Sequence, residues 1–364
     1  TNLNALGSNA TGTVIADGAA LHKNVGGDFY EPLTITGNGT GSGAFYSTVA
    51  SNALYGTITL AGNATIGGTQ RYDMNAGGIT DGAGSYTLTY EGSSNFYHWG
   101  GGATYEKLVV NSGTWGTNSG ANLPGTIEVN SGASLTSWGY SGANGGNITF
   151  NSGTFNPAAG SNNSQTWDQN MVLNGTVSFA LGTNGADKSV EAILSGVISG
   201  SGNISMSRNI GSTMEFVFTG NNTYTGNTTI GAGVTFSIEG SGVLGAGSYA
   251  GNIVNSGVGF TYNSTANQTI SGTVSGTGAL VKDSTSTLTL SGGKSYSGAT
   301  TINGGTLVLS DASNVTLDTA NITINNGASL AFNNSGAYTY QSKTITFGSS
   351  GGGNISSTGT LKMN

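Results

Sequence analysis

The chain has 364 residues, of which 65 are Gly, three are Pro and 7% are charged, against about a quarter charged in an ordinary globular domain. The formal net charge is −7, and the only two arginines are Arg71 and Arg208. Nucleic acid is therefore excluded as a partner, since its phosphates need clustered cations. The absence of cysteine excludes disulfides and thiolate metal sites. No run approaches the roughly 18 apolar residues of a membrane span. Helix-filling residues are too sparse for long amphipathic helices, so an ordered chain of this composition is all-β.

Residues 1–107 hold both histidines and seven of the sixteen acids. They are also rich in aromatics: Phe29-Tyr30, Phe45-Tyr46, and the run NFYHWGGGATYEK at 95–107. We read this third as irregular, aromatic-richer coils or a cap, because a bare terminal coil exposes unpaired backbone. Within it, Tyr97, Trp99 and Tyr105 are candidates to stack on a sugar, with His98 as a hydrogen-bonding partner. The competing reading is aromatic packing under a glycine turn. His22, beside Lys23, reads as a surface residue, and two histidines 76 residues apart support no Ser-His-Asp arrangement. Trp99, Trp115, Trp138 and Trp167 are spaced by 16, 23 and 29. That is no single period, and it leaves open either stacking in the interior or a glycan-binding platform across residues 95–167.

From residue 108 the pattern becomes regular. The Asn of Asn-Ser-Gly stands at 111, 130 and 151, at intervals of 19 and 21, and INNGASLAF repeats the theme from Ile324. Each unit is a short alternating strand, a corner of Asn, Ser and Gly, and another short strand. Asn and Gly tolerate positive φ and suit such corners. Roughly twenty residues per unit is one coil of a parallel β-solenoid, whose coils stack about 4.8 Å apart. A sandwich of hairpins offers no reason for that period. Residues 108–364 therefore read as one continuous solenoid, with Leu288, Leu290, Ile302, Leu307 and Leu309 pointing inward.

A longer repeat overlies this one. FVFTGNNTYTGNTTIGAGVTFSI at 216–238 matches LTLSGGKSYSGATTINGGTLVL at 288–309, at an offset of 72. Gly220, Tyr224, Gly226 and Ile230 answer Gly292, Tyr296, Gly298 and Ile302. SGVISGSGNI from Ser195 answers SGTVSGTGAL from Ser271 at an offset of 76, which predicts a longer loop near Arg208 in the first copy. Ile230 and Ile302 are expected at equivalent inward positions, three or four coils apart.

These residues, together with Ser275-Gly276-Thr277-Gly278 and Gly305-Thr306-Leu307-Val308-Leu309, resemble the autotransporter-associated β-strand repeat. That repeat occurs in bacterial autotransporter passengers and related giant surface proteins. The resemblance is specific for 195–240 and 270–310, looser for 108–155 and 315–335, and compositional before 107. It implies a right-handed parallel β-helix (β-solenoid) exposed at the cell surface or secreted, and no particular ligand. No segment resembles the outer-membrane translocator barrel.

Catalysis in a parallel β-helix requires clustered carboxylates on one face, whereas Asp283, Asp311 and Asp318 are scattered. Thr-x-Thr pairs (Thr34/Thr36, Thr57/Thr59, Thr87/Thr89, Thr287/Thr289) do not recur at a coil period, which argues against ice binding. We expect no enzyme activity, no cofactor and no metal. The expected role is a structural or adhesive surface protein that associates with itself through coil ends or polar faces as a fibre, adhesin or biofilm matrix. The region after Asp318 has no acid, so little repulsion opposes contact there. Surface glycans or a host surface are the other expected partners; glycan binding or cleavage is the alternative function.

Overall fold

The computed structural model describes residues 12–50, 52–117, 123–137, 146–157, 164–182, 190–208, 214–311, 315–316, 321–334, 337–340, 344–348, 352–358 and 360–363. Trp138, Asp318, Lys343 and the loop after Arg208 lie outside them. Among the described residues all pairings between strands are parallel, and the strands wind as a β-solenoid, about 13 turns at about 22 residues per turn. Among the described residues the only helical element is one 3₁₀ turn at Gly245–Gly247. The two residues beyond the expected twenty sit at corners, such as 38–43 and 240–247. The chain divides into two compact units, Thr1–Asn184 and Gly185–Asn364.

In the first unit each turn has three faces. The first face stacks Leu33 on Ile58, Ile79 and Ala103. The second stacks Ala64, Leu88, Leu108, Ile127, Ile148 and Met171. The third stacks Tyr72, Phe96, Trp115, Leu135, Phe155 and Phe179. Strict alternation turns these residues inward, and every one of them is buried. The ladder joining Thr87–His98 to Lys107–Thr117 begins at Lys107 and carries register shifts between Val110 and Thr114.

The Asn-Ser-Gly corners work differently from expectation. Positive φ falls on the glycines, Gly113, Gly132 and Gly153, and among the described residues Ala246 and Ser284 are the only non-glycines there. The asparagines instead form an amide ladder. Asn130 Nδ2 donates to Asn111 Oδ1 at 2.7 Å, Asn151 to Asn130 at 2.7 Å, and Asn174 to Asn151 at 2.8 Å. Each rung thus adds a hydrogen bond along the axis, parallel to those of the backbone.

The second unit also has three faces. One carries Ile204–Arg208, Thr228–Ile230, Ile253–Asn255, Val274–Gly276 and Lys294–Tyr296. The next carries Met214–Phe218, Val234–Gly240, Gly259–Ser264, Ala279–Lys282, Thr300–Ile302, Ile322–Ile324 and Ile345–Phe347. The third carries Ser248–Tyr249, Gln268–Ile270, Thr287–Leu290, Thr306–Asp311, Ser329–Asn334 and Asn354–Ser357. Leu288, Leu290, Ile302, Leu307 and Leu309 are all buried, as their alternation requires.

The expected equivalence of Ile230 and Ile302 does not hold. Both are fully buried, but Ile230 pairs with Asn255 on the first of these faces, and Ile302 with Lys282 and Ile324 on the second. Three turns of about 22 residues take 66, so an offset of 72 leaves six over. Six residues carry the chain from one face to the next, as from Thr228 to Val234. The local geometry nevertheless repeats. Tyr224 Oη lies 2.7 Å from Thr228 Oγ1, and Tyr296 Oη lies 2.9 Å from Thr300 Oγ1. The repeat is a corner-building module that fits any face.

Candidate functional site

On the third face of the first unit, alternation sends Tyr72, Phe96 and Trp115 inward and leaves Asp73, Tyr97 and Gly116 on the outer side in register. Asp73 accepts two hydrogen bonds from Arg71, at 2.9 and 2.7 Å, and a third from Trp99 Nε1 at 2.9 Å. The Arg71 guanidinium lies 4.6 Å from the centre of the Tyr97 ring and 6.0 Å from that of Trp99. The hydrogen bond to Asp73 holds the Arg71 pKa above its ordinary value. Tyr97 and Trp99 are themselves 5.3 Å apart at 38°. Gly116 makes room for this: a Cβ there would come within 1.9 Å of the Tyr97 ring. The result is a compact, charge-neutral surface cluster of two rings and one ion pair.

Beside it, one corner position recurs on successive turns. Tyr55 N donates to Phe29 O, Asn75 N to Leu54 O, and Trp99 N to Met74 O, at 2.8 to 2.9 Å. These bonds align Tyr30, Tyr55, Asn75 and Trp99 as a strip along the solenoid. The Tyr30 and Tyr55 rings are 4.7 Å apart and 9° from parallel, and Asn75 Nδ2 reaches Tyr55 Oη at 3.5 Å. Tyr30 is 54% exposed, and Tyr55 and Trp99 are half-buried.

Of the four residues singled out by sequence, the structure brings Tyr97 and Trp99 together on the outer side of the sheet, with Tyr97 buried beneath Arg71 and Trp99 half-buried, and places His98 and Tyr105 inside. His98 is buried against Trp115, 6.4 Å between ring centres, and its Nε2 has no hydrogen-bond partner. Burial lowers its pKa to about 4, against a smaller raising effect of a hydrogen bond to the Gly100 backbone. Burial pushes the Tyr105 hydroxyl far above its ordinary value. Trp115 and Trp167 are core residues. His22 is exposed, 2.9 Å from Thr48 Oγ1, while Lys23 is buried and donates to Val25 O at 2.8 Å. Arg71, Asp73, Tyr30, Tyr55 and Asn75 were missed. Their signal is an interval of 20 to 25 residues between Tyr30, Tyr55, Asn75 and Trp99, and of 24 between Asp73 and Tyr97.

The threonines are also more ordered than their pairwise spacing suggested. Thr34, Thr59, Thr80 and Thr104 share one outward position. The neighbouring row is Pro32, Thr57, Gly78 and Gly102, so the hydroxyls form a single line and no two-dimensional array. Among the described residues, no group of three or more His, Cys, Asp or Glu is placed to hold a metal ion.

Residues 215–235 and 280–309 match the family model of the passenger-associated-transport-repeat. The two stretches overlap the two copies related by the offset of 72. Over those two stretches the chain is similar to the autotransporter passenger repeat. The passenger repeat and the β-solenoid together are those of a secreted or surface passenger domain. Comparison with curated proteins found no match, and comparison with solved structures found none either. Among the described residues no helix is long and apolar enough to cross a membrane.

Proposed function

We propose that this passenger is a non-enzymatic, adhesive scaffold that associates with its own copies through flat polar faces. The observation that carries the reading is a pair of outward rows on the second unit. Thr261, Val281, Thr301, Thr323 and Thr346 form one row in register, continued by Ser237, which is buried and donates to Glu215. Next to it run Glu239, Asn263, Asp283, Asn303 and Asn325. Asn263 bonds to Glu239, Asn303 donates to Asp283 at 2.7 Å, and Asn325 to Asn303 at 2.5 Å. An amide holds two N–H donors and two acceptor lone pairs, so each ladder rung keeps hydrogen-bonding capacity directed at solvent. A second copy would meet a donor and an acceptor about every 4.8 Å, with few ion pairs involved. Glu191 pairs with Glu215 in register, and both act with Asp283 on Glu239, so the non-enzymatic part of the proposal is checked by a polysaccharide-hydrolysis screen.

Analytical ultracentrifugation and electron microscopy of the full chain at low and high ionic strength test the reading. Association that survives high salt is expected, because hydrogen bonds are screened far less than exposed charges. Thr301→Lys with Thr323→Lys, which adds like charges to the face, should give monomers. A wild-type protein that stays monomeric at high concentration in both salts would remove self-association.

A further inference from the structure

The corner strip on the first unit has no role in the scaffold reading. Tyr30 leaves more than half of a large ring in water although buried apolar positions are available to aromatics throughout this unit, at Phe45, Tyr72, Tyr90 and Phe96. Singly exposed aromatics are ordinary. Three aromatics and one amide at the same corner of four consecutive turns are not, because each turn reaches that corner after a different number of residues. We propose that Tyr30, Tyr55, Asn75 and Trp99, with Arg71 and Asp73 beside them, bind a short run of a neutral, extended polysaccharide lying along the solenoid.

The chemistry on the strip selects the ligand class. A sugar ring offers an apolar C–H face and a rim of hydroxyls. Tyr30 and Trp99 give apolar ring surface at the two ends of the strip. Between them, the Asn75 amide, the Tyr55 hydroxyl and the Arg71–Asp73 pair supply donors and acceptors for sugar hydroxyls. From Tyr30 to Trp99 is three turns, about 14 Å at the ~4.8 Å strand spacing, which is room for a few linked sugars. The rise per turn is close to that of one residue in an extended β-linked chain, so successive sugars meet successive turns. Charge decides between neutral and acidic glycans. Arg71 is already paired with Asp73 at 2.7 Å, and the chain is net negative, so a polyanion finds no free cation here and is repelled overall. The site belongs to the first unit and does not depend on the self-association proposed for the second.

Affinity electrophoresis of the full chain tests this. The gels contain hydroxyethyl cellulose, laminarin or galactomannan as neutral probes, and polygalacturonate as an acidic one. Retardation by at least one neutral polymer is expected, with Tyr30→Ala and Trp99→Ala each weakening it roughly tenfold and Thr301→Lys leaving it unchanged. Tyr30→Ala removes an exposed ring, so its circular dichroism and melting should match the wild type and separate lost binding from lost fold. Retardation by polygalacturonate alone, by no polymer, or equally in wild type and both aromatic variants would overturn the proposal. None of these outcomes bears on the ultracentrifugation result, so the two readings fail independently.

Discussion

Ile230 and Ile302 occupy the same place in two copies of one sequence, are both sealed in the interior, and lie on different faces of the solenoid. Sequence similarity here records corner chemistry and is blind to turn number. What the copies share is a tyrosine four residues before a threonine, closing the corner by a hydroxyl–hydroxyl bond. What they do not share is phase, because 72 residues are three turns and one face.

The corner bond has a measurable cost when broken. Thr228 Oγ1 lies 2.7 Å from Tyr224 Oη and 2.9 Å from Tyr249 Oη, and all three side chains are buried. Thr228→Val keeps the shape and removes the Thr228 bond from both Tyr224 Oη and Tyr249 Oη, of which Tyr249 keeps its bond to Gly226 O. We expect a loss of about 1–3 kcal/mol in urea unfolding. A loss below about 0.5 kcal/mol, the size of an ordinary surface substitution, would show that the tyrosines find other partners.

The amide ladder predicts a graded pair of variants. Asn130→Ala removes the bond donated to Asn111 and the one accepted from Asn151, and should cost about 1–2 kcal/mol. Asn130→Asp keeps an acceptor for Asn151 and loses only the donor to Asn111. It should fall between wild type and alanine in chemical denaturation at neutral pH. Equal stabilities of all three proteins would reduce the ladder to a by-product of backbone register.

His98 makes the first unit sensitive to acid. Its folded pKa is lowered to about 4, so as pH falls below the usual 6.5 the unfolded chain takes up a proton first. The stability contributed by the neutral ring is complete above pH 6.5 and is lost as pH falls through the folded value. The expected loss between pH 6.5 and 4 is at most about 3 kcal/mol. His98→Phe should flatten the pH dependence of melting in that window. An unchanged slope in the variant would mean that carboxylates alone set the acid limit.

The fold was legible because alternation and the twenty-residue period are local signals: the inward leucines at 288, 290, 307 and 309 follow from them directly. The surface cluster was not. Arg71 and Asp73 stand two residues apart, and only register brings Tyr97 and Trp99 to them across 24 or more residues. Variable corners hid that register, since the intervals from Tyr30 to Trp99 run 25, 20 and 24. The asparagines misled for a related reason. Asn-Ser-Gly reads as a turn from backbone preference alone, while the amide ladder exists only once turns are stacked. His98 and Tyr97 are adjacent in sequence and opposite in direction, which a pleated strand imposes on any neighbouring pair.

Lys282 sets a limit on the alkaline side. It points inward between Tyr262 and Ile302, and its ammonium group donates to the carbonyls of Asp283, Ser284 and Gly304. Burial lowers its pKa to about 8, against a weaker raising effect of Asp283, and Lys23 is lowered by the same cause. Between pH 8 and 10.5 the unfolded chain therefore holds more protons than the folded one, and stability rises with pH. Buried tyrosines act in the opposite sense. Burial raises the hydroxyl pKa values of Tyr72, Tyr224 and Tyr249, so above pH 10 the unfolded chain ionises first and stability falls. The two effects together predict a maximum between pH 9 and 10. The rise from pH 8 should be on the order of 1–2 kcal/mol, and Lys282→Met should remove most of it while sparing the fall above pH 10. Denaturation midpoints that decline steadily from pH 8 in the wild type would show that Lys282 keeps its proton inside the fold.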